Sequence, residues 1–246
     1  MKKTEITICT IGQMPIQFDG RCIERWRSSV FELTGPIENY SLHADSDGPG
    51  WQYNDATIDG AMPKAFTGDF LIAIVKVPLE FGWYARRISE NRVVVTFDEM
   101  QEVMSYSNIP LHNFILRVMY SYTLTYRRYG DMIPDYSVGR FVHDETRGCL
   151  FDMNGIKTDA VHSCDRPKLC ASCIERMRIQ GISNTVLEQT DKDLLKIRKD
   201  LFYRISDYVK AHPLRSLALT SLGAVVLGIA SSVLATLLIE HIRAAV

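Results

Sequence analysis

Apolar and polar residues change their spacing several times along this chain, and each change predicts an element. Glu5-Ile6-Thr7-Ile8-Cys9-Thr10-Ile11 alternates and is rich in β-branched side chains, which predicts an early strand stopped by Gly12. Arg21 to Leu33 reads as a helix closed by Gly35-Pro36. The polar stretch from His43 to Asp59 reads as loop, with Asp45, Asp47 and Asp55 as turn residues rather than metal ligands. Two nearly continuous apolar runs, 70–77 and 92–97, predict strands covered on both faces. Helices fit 98–105, with Asp98 as cap, and 111–129 after Pro110. From 186 to 209, Leu187, Leu194, Leu201 and Tyr208 recur every seven residues, a stripe that either lies on its own domain or forms an oligomeric stalk.

The pattern then gives way to 23 residues without a charge, Leu217 to Ile239, ended by Glu240. At 1.5 Å per residue they reach about 35 Å, enough for a hydrocarbon core of about 30 Å with some tilt. The predicted organisation is an α/β or α+β domain over 1–180, a juxtamembrane helix over 185–212, a transmembrane helix over 214–240 and an external tail over 241–246. Met1 to Glu5 leads straight into a strand, with no apolar leader, so the domain is expected in the cytosol. Lys196, Arg198, Lys199, Arg204, Lys210 and Arg215 precede the span and only Arg243 follows it, which predicts a single pass through a bacterial inner membrane with the domain inside.

Within the span, Thr220, Ala224, Gly228, Ser231 and Ala235 fall on one side of a helix, flanked by Ser221 and Ser232. Leu219, Leu222, Val226, Ile229, Val233 and Leu237 fall opposite. A mere anchor has no need of that division, whereas associating helices use small residues for close approach and hydroxyls for contacts between chains. Hydroxyls turned toward a common axis would line a narrow water-filled path, although Leu217, Leu238 and Ile239 intrude near its ends.

Composition excludes disorder and collagen-like repeats, at 46% hydrophobic and 23% charged. A net charge of -1 leaves polyanion binding to a local basic patch. In a reducing compartment the six cysteines should be free thiols or metal ligands. The densest chemistry is His143-Asp144-Glu145-Thr146-Arg147-Gly148-Cys149 followed by Cys170-Ala171-Ser172-Cys173. Two thiolates two residues apart grip one zinc from a tight turn, and two more donors complete a tetrahedron. His143, Cys149, Cys170 and Cys173 are the expected ligands, with His162 or Cys164 able to replace His143. Four protein donors leave no open position, so this zinc would be structural. An HExxH helix is missing, as are a Walker loop, GxGxxG, a GxSxG elbow and a kinase signature.

The stretch from His143 through Cys149-Leu150-Phe151-Asp152-Met153-Asn154 to Cys170-Ala171-Ser172-Cys173 resembles the zinc end of archaemetzincin-type proteins. That resemblance implies a zincin-like scaffold. The helix that carries the catalytic HExxHxxGxxH in that family corresponds here to Leu111-His112-Asn113-Phe114-Ile115-Leu116-Arg117, with one histidine and no matching glutamate. The layout of cytosolic α/β domain, helical stalk and single C-terminal span resembles the channel-like membrane effectors of bacterial anti-phage systems of the Hailong type. It implies a homotetrameric ion channel whose soluble part is controlled by a DNA oligomer made by a partner nucleotidyltransferase.

One basic patch stands out. Trp83, Tyr84, Arg86, Arg87 and Arg92 put two aromatics and three arginines within ten residues, and arginine grips phosphate while an aromatic ring stacks on a base. These five are the expected ligand-binding residues for a nucleotide or short nucleic acid. Tyr126-Arg127-Arg128-Tyr129 is a weaker second patch. The expected function is therefore a membrane-permeabilising defence effector without enzyme chemistry. A tail-anchored zincin-like metallohydrolase and a membrane-tethered binding module are the alternatives.

Overall fold

A computed structural model of the chain describes residues 2–89, 91–135, 142–143 and 146–244, apart from the side chains of residues 240 and 242. Asp144 and Glu145 of the histidine motif, and the last two residues of the expected tail, lie outside the described residues. The chain forms two units, 1–199 and 200–246.

The first unit is a mixed α/β domain. Its strands are β1 (Thr4–Ile11), β2 (Phe31–Leu33), β3 (Glu38–Tyr40), β4 (Phe70–Val75), β5 (Ala85–Arg87) and β6 (Arg92–Thr96). They form one sheet in the order β2-β1-β4-β6-β5, parallel except where β5 runs against β6. β2 and β3 also share β1, the first beside Thr4–Ile6 and the second beside Cys9–Ile11. The helices are α1 (Gly20–Glu24), α2 (Asp55–Ala61), α3 (Met100–Tyr106), α4 (Leu111–Arg128), α5 (Val161–Cys164), α6 (Ala171–Ile179) and α7 (Asn184–Leu194).

Every residue of β4 is buried. Its Phe70, Ile72 and Ile74 belong to the larger core with α3 and α4, while Leu71, Ala73 and Val75 belong to a smaller one with Ile58 and Met62 beside α2. Cover on both faces is why the run reads as continuously apolar. All of α4 except His112 and Arg127 is buried, including the charged residues Arg117 and Arg128.

The structure departs from the sequence expectation at several places. The helix over 21–33 is confined to α1, where Asp19 caps Arg21 N, and Phe31–Leu33 instead pairs with Thr4–Ile6. Between them, Ser28 Oγ and Ser29 N donate to the buried Asp193 carboxylate at 3.2 and 2.7 Å, a tie from 164 or more residues away that local periodicity cannot register. The loop over 43–59 contains the start of α2, and Asp55 belongs to its first turn rather than to a loop. Asp98 does not cap α3, which begins at Met100.

The stripe over 185–212 is two helices rather than one. Val186, Leu187 and Leu194 of α7 enter the core of the first unit together with Ile197. Lys199 N donates to Asp165 Oδ1 at 3.0 Å, which closes that unit well past residue 180.

The second unit holds α8 (Leu201–Ala211) and α9 (Pro213–Ala244), joined at His212. In α8, Leu201, Phe202, Ile205, Tyr208 and Val209 are all exposed and form one arc. α9 is 32 residues of unbroken helix, and 27 of them, Pro213–Ile239, have a mean hydropathy of 2.4 in the best window and none of it buried. Because α9 is continuous, Thr220, Ala224, Gly228, Ser231 and Ala235 do share one face. Its hydroxyls are satisfied within the chain: Thr220 Oγ1 donates to Ser216 O at 3.0 Å and Ser231 Oγ to Leu227 O at 2.9 Å.

Candidate metal centre and a buried arginine

The segment after α4 builds a four-donor cluster from short backbone ties. His143 N donates to Phe151 O at 3.0 Å and Met153 N to His143 O at 2.8 Å, which sets His143 beside Asp152. Leu150 N to Lys168 O at 2.8 Å and Lys168 N to Gly148 O at 3.0 Å bring Cys149 beside the segment leading to Cys170. Gly148 has a φ of +83°, and a Cβ there would stand 3.0 Å from His162 O, so this turn requires glycine. Cys170 is the N-cap residue of α6 and Cys173 lies in its first turn, where the helix dipole favours thiolate.

The donor atoms of His143, Cys149, Cys170 and Cys173 lie within 4.8 Å of one another. Cys149 Sγ and Cys173 Sγ are 3.9 Å apart, and Cys170 Sγ is 3.4 Å from His143 Nε2. A zinc tetrahedron with Zn–S of about 2.3 Å and Zn–N of about 2.05 Å has edges of about 3.8 Å between sulfurs and about 3.6 Å between sulfur and nitrogen. These two separations match those edges, the others stay within 4.8 Å, and the donors are the soft set zinc takes, so the cluster can hold the ion. The Cys149 thiol is pulled well below its usual range, first by its hydrogen bond with Cys173 and then, against burial, by backbone N–H groups of Cys170 and Phe151. The same pair contact pushes Cys173 up. The two alternative donors are not among these four. Cys164 is buried, its thiol pushed up to about 12 by desolvation, and its carbonyl accepts from Asn113 Nδ2 at 3.0 Å. All six cysteines are free of disulfides.

Trp83, Tyr84, Arg86 and Arg87 line one cavity of about 680 Å³. Arg86 is already held there: its Nε donates to Asp55 Oδ1 at 2.6 Å and its Nη2 lies 3.2 Å from Glu80 Oε2. Arg87 Nη1 donates to Pro134 O and Asp135 O, both at 2.8 Å. Arg92, expected in the same set, does not line the cavity. It reaches Asp59 Oδ1 at 3.1 Å and Lys64 O at 2.8 Å instead, tying the segment after α2 to β6. Arg92→Ala is therefore expected to cost about 1–2 kcal/mol in chemical denaturation and to leave ligand binding at the cavity unchanged in calorimetry. The second patch is structural too, since Arg127 donates to Thr4 Oγ1, Lys2 O and Val30 O within 2.9 Å.

Sequence reasoning missed Arg117, which lines the cavity from α4 at 4% exposure. Its Nη1 donates to Tyr84 Oη at 3.0 Å and its Nη2 to Asp152 O at 2.6 Å, and its guanidinium lies 5.4 Å from the Tyr84 ring centroid. Its Nε, also buried, has no hydrogen-bond partner. Burial works to lower its pKa, and the surrounding Tyr84, Cys164 and Asp152 groups more than offset it, so Arg117 stays charged. The signal available in the sequence was a polar stripe, Asn113, Arg117, Ser121 and Arg128, spaced by fours and a seven along one face of a long helix.

No protein-family model matches the sequence, and the curated proteins give no match. Among solved structures, the crystal structure of archaemetzincin from Methanopyrus kandleri aligns with a TM-score of 0.42 and 11% identity, covering 72% of this chain and 95% of that one.

Proposed function

We propose that this chain is a single-span membrane effector of anti-phage defence. Its globular domain receives a nucleotide-based signal, and copies of its C-terminal helix assemble around a conducting path. One observation carries the reading: the whole apolar surface of Pro213–Ile239 is uncovered. Each fully exposed Leu, Ile or Val forgoes about 1.5–3 kcal/mol of burial, so a helix with this many of them requires lipid or other copies around it. The basic residues on the domain side and the single Arg243 beyond the span favour a cytosolic domain.

Zinc at His143, Cys149, Cys170 and Cys173 would act as a staple, because four protein donors fill its coordination shell and leave no place for substrate. A hydrolase would need an open position. A membrane-tethered binding module shares the anchor and the cavity but predicts no conductance.

Self-association is tested by oxidative cross-linking of the full chain in membranes. Gly228→Cys should give a covalent dimer above the wild-type background, and Ile229→Cys, on the bulky side, should not. Equal yields at both positions would mean that the small face does not mediate contact.

A further inference from the structure

From its burial and its surroundings, we infer that Arg117 is the anion-binding residue of the cavity, and that the ligand is a small oxyanion, phosphate or carboxylate, carried on a planar ring. The inference names the ligand class for the signal-receiving role proposed above and rests on that reading for its consequence.

A guanidinium in a protein core is costly unless its charge and its N–H groups are matched. Arg117 is in that position. Among the described residues it makes no ion pair within 4 Å, its acceptors Tyr84 Oη and Asp152 O are neutral oxygens, and its Nε is buried without a partner. Asp152 presents its carbonyl rather than its carboxylate to it. The neighbours of Arg117 on the same face of α4, Asn113 and Ser121, are also buried and polar, but each donates to a backbone carbonyl, Cys164 O and Val118 O, whereas Arg117 Nε has no acceptor. An anion in the cavity supplies the acceptor that the buried Nε lacks.

The rest of the cavity sets what carries that anion. Asp55 and Glu80 already hold Arg86, so Arg86 is not the primary grip. Trp83, 42% exposed, and Phe81, 74% exposed, offer ring faces beside the buried Tyr84. A volume of about 680 Å³ falls within the range of small-molecule sites and admits one or two rings; a nucleic-acid oligomer would have to remain largely outside.

The test uses the full chain in detergent, titrated calorimetrically and melted with millimolar phenyl phosphate, benzoate, inorganic phosphate or phenol. At least one of phenyl phosphate and benzoate should bind and raise the melting temperature, and which one does so distinguishes phosphoryl from carboxylate ligands. Inorganic phosphate should bind at least about tenfold more weakly and phenol not at all. Arg117→Met should weaken binding by about 30-fold or more, and melting without ligand separates that loss from the loss of the Tyr84 and Asp152 hydrogen bonds. Trp83→Ala, at a partly exposed site, should reduce the ring-bearing anion to the affinity of inorganic phosphate. Wild-type protein that binds none of the probes, or an Arg117→Met protein that binds them equally well, would overturn the inference. Neither result touches the cross-linking outcome in the span, so the two readings fail separately.

Discussion

Replacing Cys149 by serine is expected to abolish stoichiometric zinc and to lower the unfolding free energy of the globular domain by about 3–5 kcal/mol. Structural zinc contributes about 10–16 kcal/mol to the folding of small metal-dependent peptides, and a domain with its own core should lose only part of that. Among the described residues, the segment from 142 to 182 contributes no strand to the sheet and only short helices. Leu150, Phe151, Leu169 and Met177 tie it to the main core, and the four donors close it. Cys149 is fully buried, so an unliganded serine hydroxyl there adds its own desolvation cost. Metal analysis and denaturant titration read both effects, and wild-type protein in excess chelator should lose the metal and most of the stability difference, falling short of the variant by the serine's desolvation cost. Cys22→Ser, at a partly exposed cysteine outside the cluster, should change neither.

The second large effect concerns partition between membrane and water. Val226→Arg with Val233→Arg should move the chain from the carbonate-resistant membrane fraction to the soluble or aggregated one. Each arginine at the middle of a span adds about 2.5–3.5 kcal/mol to insertion, whereas each apolar residue it must outweigh gives only about 0.3–0.6 kcal/mol. Both valines are exposed on α9, so the substitutions disturb no core in the described structure. Deleting residues 214–246 should have the same effect on localisation and should abolish toxicity on expression. Retention of the doubly substituted chain in the bilayer would mean that α9 is covered by protein instead.

What the sequence made legible follows the range of the forces involved. The strands β1, β4 and β6 and the helix α4 are long enough for their own apolar pattern to define them. β2, β3 and β5 are three residues each and exist because a neighbour pairs with them, as Phe31–Leu33 does with β1. The heptad-like series from Leu187 to Tyr208 crosses a break because α7 is held by the core and by Ser28 and Ser29 on Asp193, contacts that spacing cannot express. The four metal donors were legible because thiolate pairs and a histidine are rare residues at a recognisable spacing. Arg92 and Arg117 were not, since a charge near an aromatic segment can face the sheet edge or the core, and only the fold places Arg92 on Asp59 and Arg117 in the cavity.

The central claim, that copies of α9 cross the bilayer and leave a conducting path between them, is tested most directly by recording current across a planar bilayer after fusion of vesicles holding purified full chain. The account predicts discrete conductance steps that disappear when Gly228→Leu closes the small face. A silent membrane, with the protein inserted and cross-linkable, would contradict it.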